Sequence, residues 1–258
     1  MGLYLKYFKV HVKSEMQYKL SFIMSFISNI IFLFGYYFTI ICLFDKFSNI
    51  RGFTKYEVLF TFGIVHFGFS FCEVFFRGID QFDDFIIDGN FDRLLIRPCN
   101  VLLQVACNEV CLFKLARLIQ TVVILVVAIF KMDVVWDIEK MITVLFMLLS
   151  SIIVFLSVFI LAASYCFFTT KGLEVRNAFL YGGREMAQYP IGIFKRGFII
   201  FFTSVIPLGF VNYYPLLFIL GKTTNKLFMI SPIVTIIYLL ISIIVFYKGM
   251  KRYKSIGS

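Results

Sequence analysis

Residues 141–170 read MITVLFMLLSSIIVFLSVFILAASYCFFTT, thirty positions without one charged side chain. At about 1.5 Å of rise per residue, a helix of this length is more than enough to cross a hydrocarbon core of about 30 Å. Working outward, runs of the same kind recur. Residues 20–44 carry no charge, and the largely apolar stretch 56–76, which opens on Tyr56 and Glu57, carries His66 and Glu73. The strictly uncharged stretch 118–130 is too short to cross alone, so its helix is expected to begin near Leu102 and run to residue 130. Glu109, Lys114 and Arg117 would then lie toward the headgroups or in water.

The last third differs. The uncharged stretch 197–221 is interrupted by Pro207 and Pro215, and the apolar stretch 227–247 contains Pro232. Proline removes a helical hydrogen bond and kinks or ends a helix. A fifth span is therefore expected over 193–206 and a sixth over 232–247. The segment 207–231 between them is read as partly re-entrant or as part of two ordinary spans.

Composition agrees with a membrane protein. The chain of 258 residues is 60% hydrophobic and 19% aromatic, with a mean hydropathy of +0.91, well above the roughly 45–50% apolar usage of soluble domains. Its 25 Lys and Arg outnumber 15 acidic residues, but they fall between apolar runs instead of forming one patch, which argues against nucleic acid. Sixteen of them lie in segments that face one side if the N-terminus is inside, against seven on the other. The positive-inside rule then places both termini in the cytoplasm. The six cysteines form no C-x-x-C pair and imply neither a disulfide framework nor a metal site.

The first 19 residues lack the apolar core and cleavage site of a signal peptide. Leu5, Phe8, Val12 and Met16 recur at helical spacing, with Lys6, Lys9 and Lys13 on another face. This pattern reads as an amphipathic helix on an anionic membrane surface, or as the basic flank of the first span.

Candidate chemistry is sparse. His66 and Glu73 are seven apart and share a face of the second span. Ionisable groups are costly in hydrocarbon, so they are candidates for a substrate path or proton relay. Alternatively, Glu73 pairs with Arg77 and His66 makes a helix-to-helix hydrogen bond. Gly221-Lys222-Thr223-Thr224 resembles the end of a phosphate-binding loop, but the required earlier glycine is Leu216. No catalytic set emerges, and no connecting segment approaches the roughly 100 residues of an independent catalytic domain.

The second inner loop is the most informative. It carries Asp80, Asp83, Asp84, Asp88 and Asp92, against the surrounding basic bias. The first four fall at helical spacing, with Phe82, Phe85 and Ile86 between them, as in a short helix with an acidic face and apolar anchors that docks on another protein. The run Asp88-Gly89-Asn90-Phe91-Asp92-Arg93-Leu94-Leu95-Ile96-Arg97-Pro98 resembles a motif of type-2 (ABC-2-like) ABC exporter permeases, in the branch catalogued as a domain of unknown function. Tyr189-Pro190-Ile191-Gly192-Ile193-Phe194, Ile206-Pro207-Leu208-Gly209-Phe210-Val211 and Tyr213-Tyr214-Pro215 are similar to that family's approach to span five and the outer segment beyond it.

The resemblance implies an all-α membrane protein forming one permease domain over 1–258. Its parts would be an interface helix (1–19), six spans (20–44, 56–76, 102–130, 141–168, 193–206 and 232–247), a cytoplasmic coupling helix within 79–98 and a re-entrant outer segment (207–231). It implies a non-enzymatic subunit that pairs with a second permease, identical or related, and with a cytoplasmic ABC ATPase that binds the ATP and Mg. Asp88, Gly89, Phe91, Asp92, Arg93, Leu94 and Arg97 would transmit the ATPase stroke. The expected function is export of a hydrophobic, drug-like or peptide substrate. A proton- or ion-coupled secondary transporter using His66 and Glu73 is the alternative. The richness in Lys, Ile and Phe points to a bacterial cell membrane.

Overall fold

The computed structural model describes residues 2–47, 49–169 and 172–253, with the backbone alone for 2–6, 172–176, 178 and 179. These residues are helical almost throughout and, apart from one isolated bridge between Ile50 and Phe53, contain no β-structure. α1 (Gly2–Gln17) leads directly into the long α2 (Lys19–Lys46), and α3 (Lys55–Phe75) returns. Three short helices, α4 (Arg77–Asp80), α5 (Phe82–Ile87) and α6 (Phe91–Leu95), then form an elbow, followed by α7 (Val101–Asn108), α8 (Leu115–Lys131) and α9 (Ile138–Tyr165). The last third holds α10 (Gly172–Ala187), α11 (Arg196–Ser204), α12 (Tyr214–Ile219), α13 (Leu227–Ile230) and α14 (Val234–Met250).

α3 is the centre of the bundle. It packs against α8, α9 and α10, while α14 lies along α9 and α2 along α8. Its start is fixed by a capping box in which Thr54 N donates to Glu57 Oε2 at 2.9 Å. Small residues on its surface let neighbours approach. A Cβ added to Gly68 would lie 2.6 Å from the Ser151 carbonyl oxygen and closer still to other Ser151 atoms. Without a hydrophobic driving force in lipid, such close backbone packing is what holds helices together. α2 and α14 leave most of their apolar surface outward, as lipid-facing helices do.

Among the described residues five helices are long and apolar enough to cross a membrane, namely α2, α3, residues 112–131, α9 and residues 227–250. Among these residues a sixth crossing is available if α11 and the helix Gly209–Ile219, bent by 95° at Pro207, act as one broken span. The expected span 193–206 is therefore not a crossing by itself. α11 has nine residues and is about 13 Å long. The segment expected to be re-entrant contains a π-helical turn (209–213), α12, and a turn at Gly221 with φ +67°. The sixth span starts near Leu227, five residues earlier than expected, because Pro232 sits inside a 3-10 turn that the helix passes through.

Two further differences matter for function. The helix expected over 102–130 is two helices, because Glu109 and Cys111 are extended and the chain restarts through a 3-10 turn at Leu112–Lys114. Residues 172–187, expected to be an inner loop, form α10, which enters the bundle beside α3 and α9. Arg184, counted among the inner basic residues, is buried, with its guanidinium carbon 4.6 Å from the Phe69 ring centre and 5.4 Å from that of Tyr181. α1 does form a helix, and Phe8 packs on Phe75 while Lys9 and Lys13 are exposed. The Leu5 and Lys6 side chains of its expected stripe lie outside the described residues.

Close packing at Gly68 is testable. Gly68→Ala forces α3 from α9 and lowers stability by about 1–3 kcal/mol, read as a lower unfolding midpoint in detergent. Gly35→Ala, where nothing lies within 4 Å of the added carbon, leaves the midpoint unchanged or raises it by up to about 1 kcal/mol of helix propensity.

Candidate functional site

The elbow α4–α6 hangs from the bundle end at which α1, α7 and the end of α14 also gather. Two sets of contacts of different chemistry hold it there. The first is charged. Glu73, almost fully buried in the last turn of α3, accepts from Lys114 Nζ at 2.6 Å and from Arg117 Nη1 at 3.0 Å. Next to it Arg77 pairs with Asp80, which is buried and not on a docking face. Gln81 extends the network, since with its amide oriented to satisfy both ends it accepts from Arg77 Nη2 at 3.0 Å and donates to Glu109. Two cations this close offset the cost of burying the carboxylate.

The break between α7 and α8 belongs to the same network. Cys111 N donates to Val74 O at 3.1 Å, so a carbonyl of α3 takes the place of a helical acceptor. Glu15 of α1 accepts from Leu112 N at 3.0 Å, capping the restarted helix. Burial raises the Glu15 carboxyl above its ordinary range, and the Leu112 and Phe113 amides pull against that rise.

The second attachment is aromatic. Phe82 lies 5.2 Å from Phe91, 5.2 Å from Phe167 and 5.6 Å from Phe246, centre to centre, which ties α5 and α6 to the ends of α9 and α14. Phe91 also meets Tyr253 edge-on at 4.9 Å. Burial, then the adjacent Asp92 carboxylate, raises the Tyr253 hydroxyl above its ordinary value. Gln104 Nε2 donates to the Leu94 and Cys99 carbonyls at 3.2 and 3.0 Å. Asn100 Oδ1 caps α7 through Leu103 N at 3.1 Å and accepts from Tyr247 Oη at 2.9 Å.

This geometry sorts the residues singled out in the sequence. Gly89 makes the turn between α5 and α6 with φ +67°, a conformation that favours glycine. Phe91 and Leu94 are buried anchors, and Asp92 is half-buried beside Tyr253. Asp88, Arg93 and Arg97 are exposed, and Arg97 Nη1 donates to Tyr7 Oη of α1 at 3.2 Å. The expected acidic docking face is not assembled. Asp80 and Asp83 turn inward, and the apolar anchors Phe82 and Ile86 bind the elbow to its own bundle. Sequence reasoning missed the exposed apolar residues Ile87, Leu95 and Ile96, the last 84% exposed. Their signal was their place on the face opposite Phe82, Ile86, Phe91 and Leu94.

His66 and Glu73 do not converge. His66 stacks on Phe62 at 4.1 Å and its Nε2 lies 3.1 Å from Oε1 of Gln188, the residue after α10, whereas Glu73 faces α8. The pairing of Glu73 with Arg77 anticipated as one possibility is replaced by its pairing with Lys114 and Arg117.

A family model described as ABC-2 family transporter protein matches residues 30–257, from the middle of α2 past the end of α14. No curated protein and no solved structure matches the chain.

Glu73→Gln deprives two buried cations of their charge partner and costs about 3–5 kcal/mol. Replacing Lys114 and Arg117 by Met in the same chain recovers most of that loss. Unfolding midpoints of the single and triple variants in one detergent check both statements.

Proposed function

The chain belongs to the ABC-2 family of transporter proteins, a multi-pass membrane component of an ABC transporter, and on that premise we propose that it is the permease of an ATP-driven exporter. The permease itself is not catalytic. A separate cytoplasmic ATPase subunit would bind ATP and Mg, and a second permease, identical or related, would complete the assembly. The proposed location is the cell membrane of a bacterium, with both termini and the elbow on the cytoplasmic side. The proposed cargo is a hydrophobic, drug-like or peptide molecule.

One observation supports this reading above the others. The elbow α4–α6 is anchored on one face and presents Ile87, Asp88, Arg93, Leu95, Ile96 and Arg97 on the other. A surface of large apolar side chains with both charge signs at its rim, built on a rigidly held support, has the character of a docking patch. Displacement of the patch by a partner would reach α3 and α8 through the Glu73 network and α9 and α14 through the Phe82 cluster. The residues that transmit the stroke are then of two kinds. Asp88, Arg93 and Arg97 touch the partner, while Phe91 and Leu94 carry the load inward.

The test is co-purification from detergent with a subunit identified as an ATPase by its hydrolysis of ATP. Ile96→Asp combined with Arg93→Ala lowers ATPase capture at least tenfold. The unfolding midpoint of the permease stays within a few degrees of wild type, since both side chains point away from its core. Failure of folded wild-type permease to retain an ATPase overturns the reading and leaves a proton- or ion-coupled carrier in its place.

A further inference from the structure

α10 brings into the middle of the bundle a charged pair that neither the elbow nor the Glu73 network uses. His66, which meets Gln188 just after α10, is the twelfth residue of α3, roughly 16 Å along a helix of about 31 Å. At that depth Gln188 Oε1 meets His66 Nε2 at 3.1 Å, and Gln188 Nε2 donates to Glu185 Oε2 at 3.1 Å. Arg184 Nη2 donates to Glu185 Oε1 at 2.5 Å, and the Tyr36 hydroxyl of α2 lies against the Glu185 carboxylate. A charged side chain near the bilayer centre costs about 2.5–3.5 kcal/mol on insertion scales. Such a group marks a path or site unless structure requires it, and the bundle is already held by close packing and by Glu73.

The two charges are not equally available. The Arg184 side chain is 5% exposed, its guanidinium spread over the rings of Phe69, Tyr181 and Tyr36. That of Glu185 is 35% exposed. Of the roughly four acceptor sites on its oxygens, the Arg184, Gln188 and Tyr36 donations leave about one open. The sign presented at the edge of the bundle is therefore negative. Half-buried Tyr36 lies beside that carboxylate, and half-buried Tyr189 follows four residues along the chain. A partly desolvated carboxylate beside tyrosines suits an organic ammonium, which is drawn by the charge, with an aromatic contribution from whatever ring face Arg184 leaves uncovered.

We propose that Glu185, with Tyr36 and Tyr189, forms a binding site for the ammonium group of a cationic amphiphile whose apolar part lies along the lipid-facing surface. Arg184 and Gln188 are positioning residues that hold the carboxylate in place. The site stands on this geometry, and its occupant is the exported molecule only on the exporter reading.

The experiment uses the full-length permease, without ATPase, in phosphatidylcholine nanodiscs. Three fluorescent probes share one alkyl chain and end in a trimethylammonium, its neutral tert-butyl counterpart or a sulfonate, with binding to empty discs subtracted. The ammonium probe binds saturably and at least tenfold more tightly than either of the others. Glu185→Gln removes that preference, and Glu139→Gln, at an exposed position near the start of α9, keeps it. Equal affinity for the ammonium and neutral probes, preference for the sulfonate, or unchanged selectivity in Glu185→Gln overturns the proposal. So does a site closed to all three probes, as it would be beneath a second copy of the chain. If Glu185→Gln does not fold, the wild-type probe series decides alone. Ammonium binding without ATPase capture leaves the site standing and removes the exporter. ATPase capture without ammonium binding does the reverse.

Discussion

The carboxylate of Glu73 between Lys114 and Arg117 is the contact on which the end of the bundle depends. A buried carboxylate needs compensating charge, and the nearby cation of α4, Arg77, pairs with Asp80 instead. The cations come from the start of α8, and placing both against Glu73 fixes where that helix begins. The interruption at Glu109–Cys111 follows from this demand. A break in a helix near hydrocarbon leaves backbone groups without partners, which is tolerated only where protein supplies new ones. Here Val74 O receives the Cys111 amide and Glu15 receives the Leu112 amide. α1 is thus a structural part of the break as well as an amphipathic flank.

This dependence explains what was legible in the sequence. α2, α9 and α14 could be read from uncharged runs alone, and α3 from a largely apolar one, because lipid demands apolar side chains over a length it sets itself. The break before α8 was not legible. Glu109, Lys114 and Arg117 are what a helix would carry where it meets headgroups, and nothing local distinguishes that role from pairing with a carboxylate 41 residues earlier in the chain. The inward turn of Asp80 and Asp83 was hidden for the same reason. Periodicity puts acids on a common face without saying which face meets the bundle.

α10 was missed because hydropathy cannot see a helix that is polar on one side and shielded by protein on the others. Its apolar positions Leu180, Gly183 and Ala187 recur at intervals of three and four and are buried, which was a usable signal. Arg184 and Glu185 outweighed it. Within the candidate site, the anchors and the exposed charges were both named from the motif, but their division of labour was not. That division depends on Phe167 and Phe246, which come from spans far along the chain.

The two attachments of the elbow differ in what they permit. The charged one is directional, since the oxygens of Glu73 receive separate donors at 2.6 and 3.0 Å and a shift of an ångström would expose unpaired charge. The aromatic one is a cluster of edge-on rings 5–6 Å apart, where many small dispersion contacts trade against one another as rings slide. The Glu73 pairs join α3 to the start of α8, whereas the rings join the elbow to the ends of α9 and α14. α3 and α9 are themselves locked by the close approach of Gly68 to Ser151. α10 packs against both α3 and α9, so the Glu185 site rests on that locked pair.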